Sequence, residues 1–394
     1  MWMLMVLVSL ASAAPMGEVD FAPLNTFSLK LLYNTYAFQE SYGEKNLIIS
    51  PLSIWSMFAL LAEGCSGETF NELMQELRLP SDSRSTTVLH LAVSDILLKR
   101  DHDVKLEGLS GLFADTNLNI HEEFCQYARG FDTQVFLVEA SNKTALANDI
   151  NSYICRLTRG RIVEAVTPRV LENLRMILVD GLYFKANWTH PFDATHTREE
   201  EFYNFQGKTI GSVNMMYHKA SHVFGDSPQI GAQILEMPYG KNEQLSMMIL
   251  LPFDGIPLQK LLENLSTQSL DWIGQFQAAE KQEIDCYIPR FKITSKSDMI
   301  PPLMYMGIRN IFDYTKAQMP GISDTPLFVS KTVQNVGIEV AEEGTVAASS
   351  TIVQLEDRML SQRFEANKEF VFLITERRSG AIVFAGVYAE PSLT

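Results

Sequence analysis

Residues 342–364 read EEGTVAASSTIVQLEDRMLSQRF. After Gly344 and Thr345 comes a run of small and β-branched residues, where a chain that only had to reverse direction would use a tight turn of Gly, Pro or Asn. β-Branched residues suit an extended strand, whereas Glu356, Asp357 and Arg358 at the far end suit solvent. The stretch reads as a strand that is not always in a sheet. Counted from Thr345, one alternating set is Thr345, Ala347, Ser349, Thr351 and Val353, and the other is Val346, Ala348, Ser350 and Ile352; neither contains a charge. A strand that enters a packed sheet turns alternate side chains into the core, so those positions must be uncharged. A flexible linker would carry Gly or Pro rather than Thr, Val and Ile.

Sheets in which such a strand could sit lie on both sides of it. FVFLIT (370–375), the turn Arg377-Arg378-Ser379-Gly380 and AIVFAGVY (381–388) form a hairpin that is apolar on both faces. Upstream, LRMILVDGLYF (174–184), SMMILLP (246–252) and EIDCYIPRFKI (283–293) have strand composition; the last alternates Ile284, Cys286 and Ile288 against Glu283, Asp285 and Tyr287. The N-terminal part is helical. Leu24 to Ser41 is amphipathic, with Asn25 or Thr26 as its cap, and Ser50-Pro51 opens a second helix with a capping hydroxyl and a proline at the first helical position. Phe70, Leu73, Met74 and Leu77 mark a third, stopped by Pro80. Helices and strands are mixed without βα alternation, which gives an α+β fold.

The 394 residues contain no Gly/Ser or Pro-rich linker and are 46% hydrophobic, so one large domain is expected. The net charge of −15 opposes phosphate backbones and anionic lipid, which argues against nucleic-acid or membrane partners. Residues 1–13 read as a signal peptide cut after Ala13, leaving 14–394 as a secreted chain. Three sequons, at Asn142, Asn187 and Asn264, fit that compartment as glycosylation sites. Cys65, Cys125, Cys155 and Cys286 are widely spaced and contain no CxxC pair, so they are disulfides or buried thiols rather than a metal site. No GxSxG elbow, phosphate loop or GxGxxG fingerprint is present, and His121-Glu122-Glu123-Phe124 ends at Cys125 where a zinc-protease helix needs its second histidine. His190 and His196, flanking PFDAT, have no Cys or carboxylate partner at ligand spacing. The sequence implies no enzyme, cofactor or metal.

Taken together, NLIISPLSIWSMFALLAEG (46–64), LVDGLYFKANWTHPF (178–192), LEMPYG (235–240), SMMILLP, IPRFKI (288–293), MGIRNIF (306–312), VGIEVAEEGTVAASS (336–350) and the C-terminal hairpin resemble the serpin family over nearly all of the mature chain, with an overall likeness to arthropod haemolymph members. The resemblance implies a single α+β domain with three β-sheets, eight or nine helices and an exposed reactive-centre loop at about 342–364. It further implies a hinge at Glu342, Glu343, Gly344, Thr345, Ala347 and Ser349. By the loop length of the family the scissile residue lies fourteen positions after the hinge glycine, which gives Arg358-Met359 as the reactive bond, with Arg363 a second cleavage point and Met359 or Leu360 open to a chymotrypsin- or elastase-like enzyme in another register. A protease that attacks Arg358 would be held as an acyl-enzyme while Thr345–Arg358, on the order of 45 Å when extended at ~3.3 Å per residue, enters the central sheet. Loop insertion in serpins is itself a standard example of β-strand addition.

An arginine at the cleaved position implies a trypsin-like serine protease as partner, and Glu356 and Asp357 beside it imply a target with a basic patch. The resemblance places Ser50, Ser53, Asp180, Trp188, Arg290 and Gln334 in the sheet-opening region. Asp180 and Gln334 depart from the family pattern, which commonly has Asn and His there; an amide of Gln334 donating to Asp180 would restore a pair. Arg290 is expected to pair with Glu342. Lys99, Arg100 and Lys105 are interleaved with Asp101, Asp103 and Glu107, which argues against a heparin-like polyanion site. A monomer is expected. The rival reading is a non-inhibitory serpin acting as carrier or chaperone, whose loop is cut without trapping; the uncharged hinge speaks against it.

Overall fold

The structure, a computed structural model, describes residues 19–98, 103–129, 133–139, 141–172, 174–268, 272–343 and 362–391. The leader 1–13, the hinge residues Gly344, Thr345, Ala347 and Ser349, the bond Arg358-Met359, and Lys99, Arg100 and Asp101 lie outside the described residues.

Ser50 and Pro51 start a helix as their chemistry dictates: Ser50 is the N-cap, its hydroxyl accepting from Ser53 N, and Pro51 occupies the first turn. This helix, Pro51–Glu63, is apolar nearly all round and accordingly buried from Pro51 to Ala62. It lies in the middle of the molecule. The N-terminal helix starts earlier than the sequence suggests, at Ala22, with Pro23 in its first turn and without a side-chain cap. Asn25, read as a cap, instead ties helix to hairpin: its Nδ2 donates to Gly380 O at 2.8 Å and its Oδ1 accepts from Ile382 N at 2.9 Å.

Among the described residues nine α-helices surround two sheet systems. The larger has nine strands along the path Leu47–Ile49, Ile382–Tyr388, Phe370–Glu376, Leu245–Pro252, Ala232–Pro238, Thr209–Ser227, Gln282–Pro289, Gln362–Glu365, with Arg198–Tyr203 paired to Thr209–Ser227. The strand Thr209–Ser227 is shared: Val223–Ser227 pairs with Ala232–Glu236, and Met215–His222 pairs with Gln282–Pro289. The path is thus two sheets joined at one long strand, which with the five-stranded sheet below makes three. Gly386 lets the first strands close up, since a Cβ there would stand 2.2 Å from the Phe372 ring and 2.6 Å from Leu47 O.

The five-stranded sheet runs Phe291–Asp298, Val329–Val340, Met176–Ala186, Val104–Asp115, Thr133–Val138. Its second and third strands are parallel, paired from Val329↔Met176 to Glu339↔Lys185 with one register shift between Val329 and Lys331; each is antiparallel to its other neighbour. The run 283–293 was expected as one strand and is two. Pro289 cannot donate to a ladder, Arg290 N turns aside to Asn214 O at 2.8 Å, and the halves join different sheets. One face of the five-stranded sheet rests on the main core through Leu178, Phe184, Val336 and Ile338. The other is covered by the helix Lys143–Leu157, whose Leu146, Ile150 and Ile154 pack with Ile177 and Val179.

Beside the central helix, His90 is buried with its ring edge-on to Trp55 at 5.2 Å, and burial depresses its pKa to about 4. Above the ordinary value near 6.5 the imidazole is neutral in both folded and unfolded chains, so its contribution does not vary. As pH falls from about 6.5 toward 4 the unfolded chain takes up the proton first, and stability declines. The urea midpoint should therefore fall between pH 6.5 and 4, and His90→Gln should flatten that slope; an equal slope in the variant would show that other groups carry it.

Candidate functional site: the seam between two parallel strands

Two neighbouring parallel strands from distant parts of the chain, Met176–Ala186 and Val329–Val340, place Asp180 opposite Gln334. Both face the start of the central helix and both are buried. Gln334 Nε2 lies 2.7 Å from Asp180 Oδ2, 2.9 Å from Ser50 O and 3.0 Å from Ser53 Oγ, while Gln334 Oε1 accepts from Ser50 N at 3.0 Å. Ser53 Oγ donates to Asp180 Oδ2, and Ser110 Oγ, from the next strand, donates to Asp180 Oδ1 at 2.8 Å. Ser50 Oγ continues the chain of bonds into the C-terminal hairpin, donating to Val383 O at 2.9 Å. Burial raises the pKa of Asp180 above the usual carboxylate range, against the lowering effect of the bonds from Ser53, Gln334 and Ser110. One carboxylate thus ties together two strands, a third strand and a helix.

At the far end of the same strands lies the base of the loop. Trp188 is buried and stacked on Tyr239 at 4.3 Å; its Nε1 donates to Ala341 O at 2.8 Å and its backbone N to Glu343 O at 3.1 Å. Phe192 N donates to Glu342 O at 3.1 Å. The carboxylate of Glu342 takes Thr197 Oγ1 at 2.8 Å and Arg290 Nη1 at 3.4 Å. Lys185 bridges Glu339 at 2.7 Å and Glu343 at 3.0 Å. Burial works to lower the Lys185 pKa, and its bonds to the two glutamates raise it. Glu339 is raised by burial but held below its usual range by Lys185, Tyr183 and Arg161. Residues 341–343, the last described before the loop, are therefore clamped through both backbone and side chains.

A model of one protein family, serpin (serine protease inhibitor), matches residues 22–391. The chain belongs to the serpin family. A serine protease inhibitor of Cyanea capillata is 31% identical over 89% of this serpin and 93% of that protein. Human Serpin B9 is 30% identical over 93% and 98%, and Antichymotrypsin-2 of Bombyx mori 30% over 87% and 92%. Among solved structures, Serpin48, described as a highly specific serpin of the insect Tenebrio molitor, superposes with a TM-score of 0.79 at 27% identity, covering 95% of this chain and 98% of that one. The α+β serpin fold expected from the motifs is the fold observed.

Of the site residues read from the sequence, Ser50, Ser53, Asp180 and Gln334 form one network, whereas Trp188, Arg290, Glu342 and Glu343 form a second at the loop base. Ser110, Lys185, Thr197 and Glu339 belong to these networks and were not picked out; only the strand register, which brings Ser110 opposite Asp180, reveals the first of them. Of the sequon asparagines, Asn142 is exposed and caps a helix through Ala145 N at 3.1 Å, Asn187 is half-buried beside Trp188, and Asn264 donates its amide to Ile230 O at 3.1 Å. All four cysteines are free thiols in the structure. In the stretch weighed as a polyanion site, Glu107 is paired with Arg159 at 2.9 Å and Asp103 is buried.

Asp180 accepts from three donors, and an asparagine there would offer one acceptor oxygen and set an NH₂ group against Gln334 or the serines. Asp180→Asn should destabilise the closed seam by about 1–3 kcal/mol and expose strand edges that pair between molecules. Heat-induced polymerisation should begin at a lower temperature; an unchanged onset and an unchanged melting midpoint would exclude this role.

Proposed function

We propose that this serpin is a secreted suicide inhibitor of a trypsin-like serine protease, cleaved at Arg358-Met359. The observation that carries the reading is the parallel pair at the centre of the sheet, Val329–Val340 beside Met176–Ala186, with the loop leaving from the end of the first strand. A segment that folds back after Val340 and enters between the two runs antiparallel to both. One parallel ladder is then exchanged for two antiparallel ones, which are slightly more stable per residue and add a full set of backbone hydrogen bonds. The strand beside the slot has twelve residues, and Thr345–Arg358 is long enough to fill it. Both faces of the slot are covered, one by the main core and one by the helix Lys143–Leu157, which supplies a physical reason for both alternating sets of the loop to be uncharged.

The chemistry follows from that movement. The protease serine Oγ bonds to the Arg358 carbonyl carbon, the bond to Met359 N breaks, and the leaving amine takes a proton, so that the protease is an ester of Arg358. Release of Met359 frees the loop to insert. The attached protease travels the length of the sheet, and its distortion against the far pole removes oxyanion donors that deacylation needs. Stability stored in the five-stranded form is thus kinetic. Glu356 and Asp357 select a protease with a basic rim. Among the described residues no helix is long and apolar enough to cross a membrane; the leader sequence 1–13 carries the reading of secretion.

Mixing the mature protein with trypsin should give a band at the summed mass on a denaturing gel, absent for Arg358→Ala. Cleavage after Arg358 without such a band, repeated with several serine proteases, would replace inhibition by the carrier reading.

A further inference from the structure

Beside the loop base lies a group of buried nucleophiles that the inhibitory reading does not use. His218 and His222 are four apart on the strand Thr209–Ser227 and therefore on one face of it. Cys286 is the cross-strand partner of His218 on Gln282–Pro289. One ligand atom from each of the three lies within 4.8 Å of the other two, and all three residues are buried. The two Nε2 atoms are 3.0 Å apart, close to the ligand separation of about 3.3 Å that two ~2.05 Å bonds make across a tetrahedral zinc ion. His218 Nδ1 faces Pro191 O at 3.5 Å, the arrangement that points the other ring nitrogen at a metal. His222 Nδ1 is buried away from solvent, and the backbone of Glu236 lies beside the ring. His190, exposed, has its ring 5.7 Å from that of His222, at the solvent side of the group.

We propose that His218, His222 and Cys286 form a binding site for one zinc-class transition-metal ion, with His190 supplying the fourth ligand from the solvent side. Two imidazoles and a thiolate are the donor set such an ion prefers. With Nδ1–H of His218 given to Pro191, His222 holds the proton between the two Nε2 atoms. On binding, that proton moves to Nδ1 of His222, beside the backbone of Glu236, and the Cys286 thiol loses its own, so one proton is released per ion. Burial raises the thiol pKa in the metal-free protein and depresses those of His218 and His222, to about 4 and about 3, leaving both imidazoles neutral.

The site adjoins the loop clamp directly. The Phe192 ring lies flat on His218 at 4.0 Å, and Phe192 N holds Glu342 O. A bound ion would fix the segment 188–192 from beneath, through His218 and His190, and so steady residues 341–343. An effect on loop insertion rests on the inhibitory reading; metal binding does not.

Cobalt(II) titrated into the full chain after chelator treatment tests the site without reference to any protease. One equivalent should give the visible spectrum of a tetrahedral ion with a thiolate-to-metal charge-transfer band, displaced by Zn²⁺. Cys286→Ser should abolish that band. His190→Gln, at an exposed position where core packing is not disturbed, should weaken binding about tenfold or more. Absence of a thiolate band in the folded wild-type protein, or its persistence in Cys286→Ser, would overturn the proposal.

Discussion

The hydrogen bond between Gln334 and Asp180 is where the two halves of the central sheet are held shut. Without it, a parallel pairing at the middle of a sheet has only its slanted ladder and its packing to resist separation. The carboxylate accepts from three elements at once, and the glutamine answers both the carbonyl and the amide of Ser50. Helix start, sheet seam and C-terminal hairpin are consequently a single polar unit within an otherwise apolar core. Such a unit fixes one arrangement while it is complete and loses most of its value when one member is withdrawn. A closed sheet that opens, as the proposed function requires, would be well served by a fastening of that kind.

The loop base obeys different physics. There the partners are half-exposed ion pairs and backbone hydrogen bonds, individually modest and partly screened by solvent. Lys185 serves two glutamates, one within the strand and one just past its end, and Arg290 and Thr197 share a third. Many weak contacts can be released one after another, whereas the buried seam yields all together. Opening that begins at the loop base and proceeds inward meets the lower barrier first.

The sequence made the architecture legible where local chemistry decides it. Ser50-Pro51 announces a helix start, Arg377 to Gly380 announces a turn, and the hairpin after Phe370 is apolar on both faces because it is buried on both. It misled where a tertiary partner overrides the local signal: Asn25 looks like a cap and is a cross-brace, and 283–293 alternates as one strand although Arg290 divides it between two sheets. The polar seam was half legible, since Asp180 and Gln334 stand out against a family pattern while Ser110 has no local mark. Arg377 was read as a turn residue only, yet its Nε lies 2.9 Å from the buried carboxylate of Glu236. The approach of His218 to Cys286 could not be seen at all, because it depends on the pairing register of strands far apart in the chain.

The helix Lys143–Leu157 does more than cover a face of the sheet. The chain that leaves it crosses back over the strand Val329–Val340, where Asn335 Nδ2 is 3.5 Å from Ala165 O. It is fastened there by Asn151, which accepts from Ala165 N and Val166 N at 2.9 Å and donates to Val166 O at 2.8 Å. Any strand that enters the seam must pass beneath this strap, which has to lift and settle again. If the proposed inhibition holds, ester hydrolysis and strand insertion compete, and the strap would set the pace of insertion. Under the proposed mechanism, how firmly Asn151 holds it would govern the fraction of inhibitor molecules spent as mere substrate.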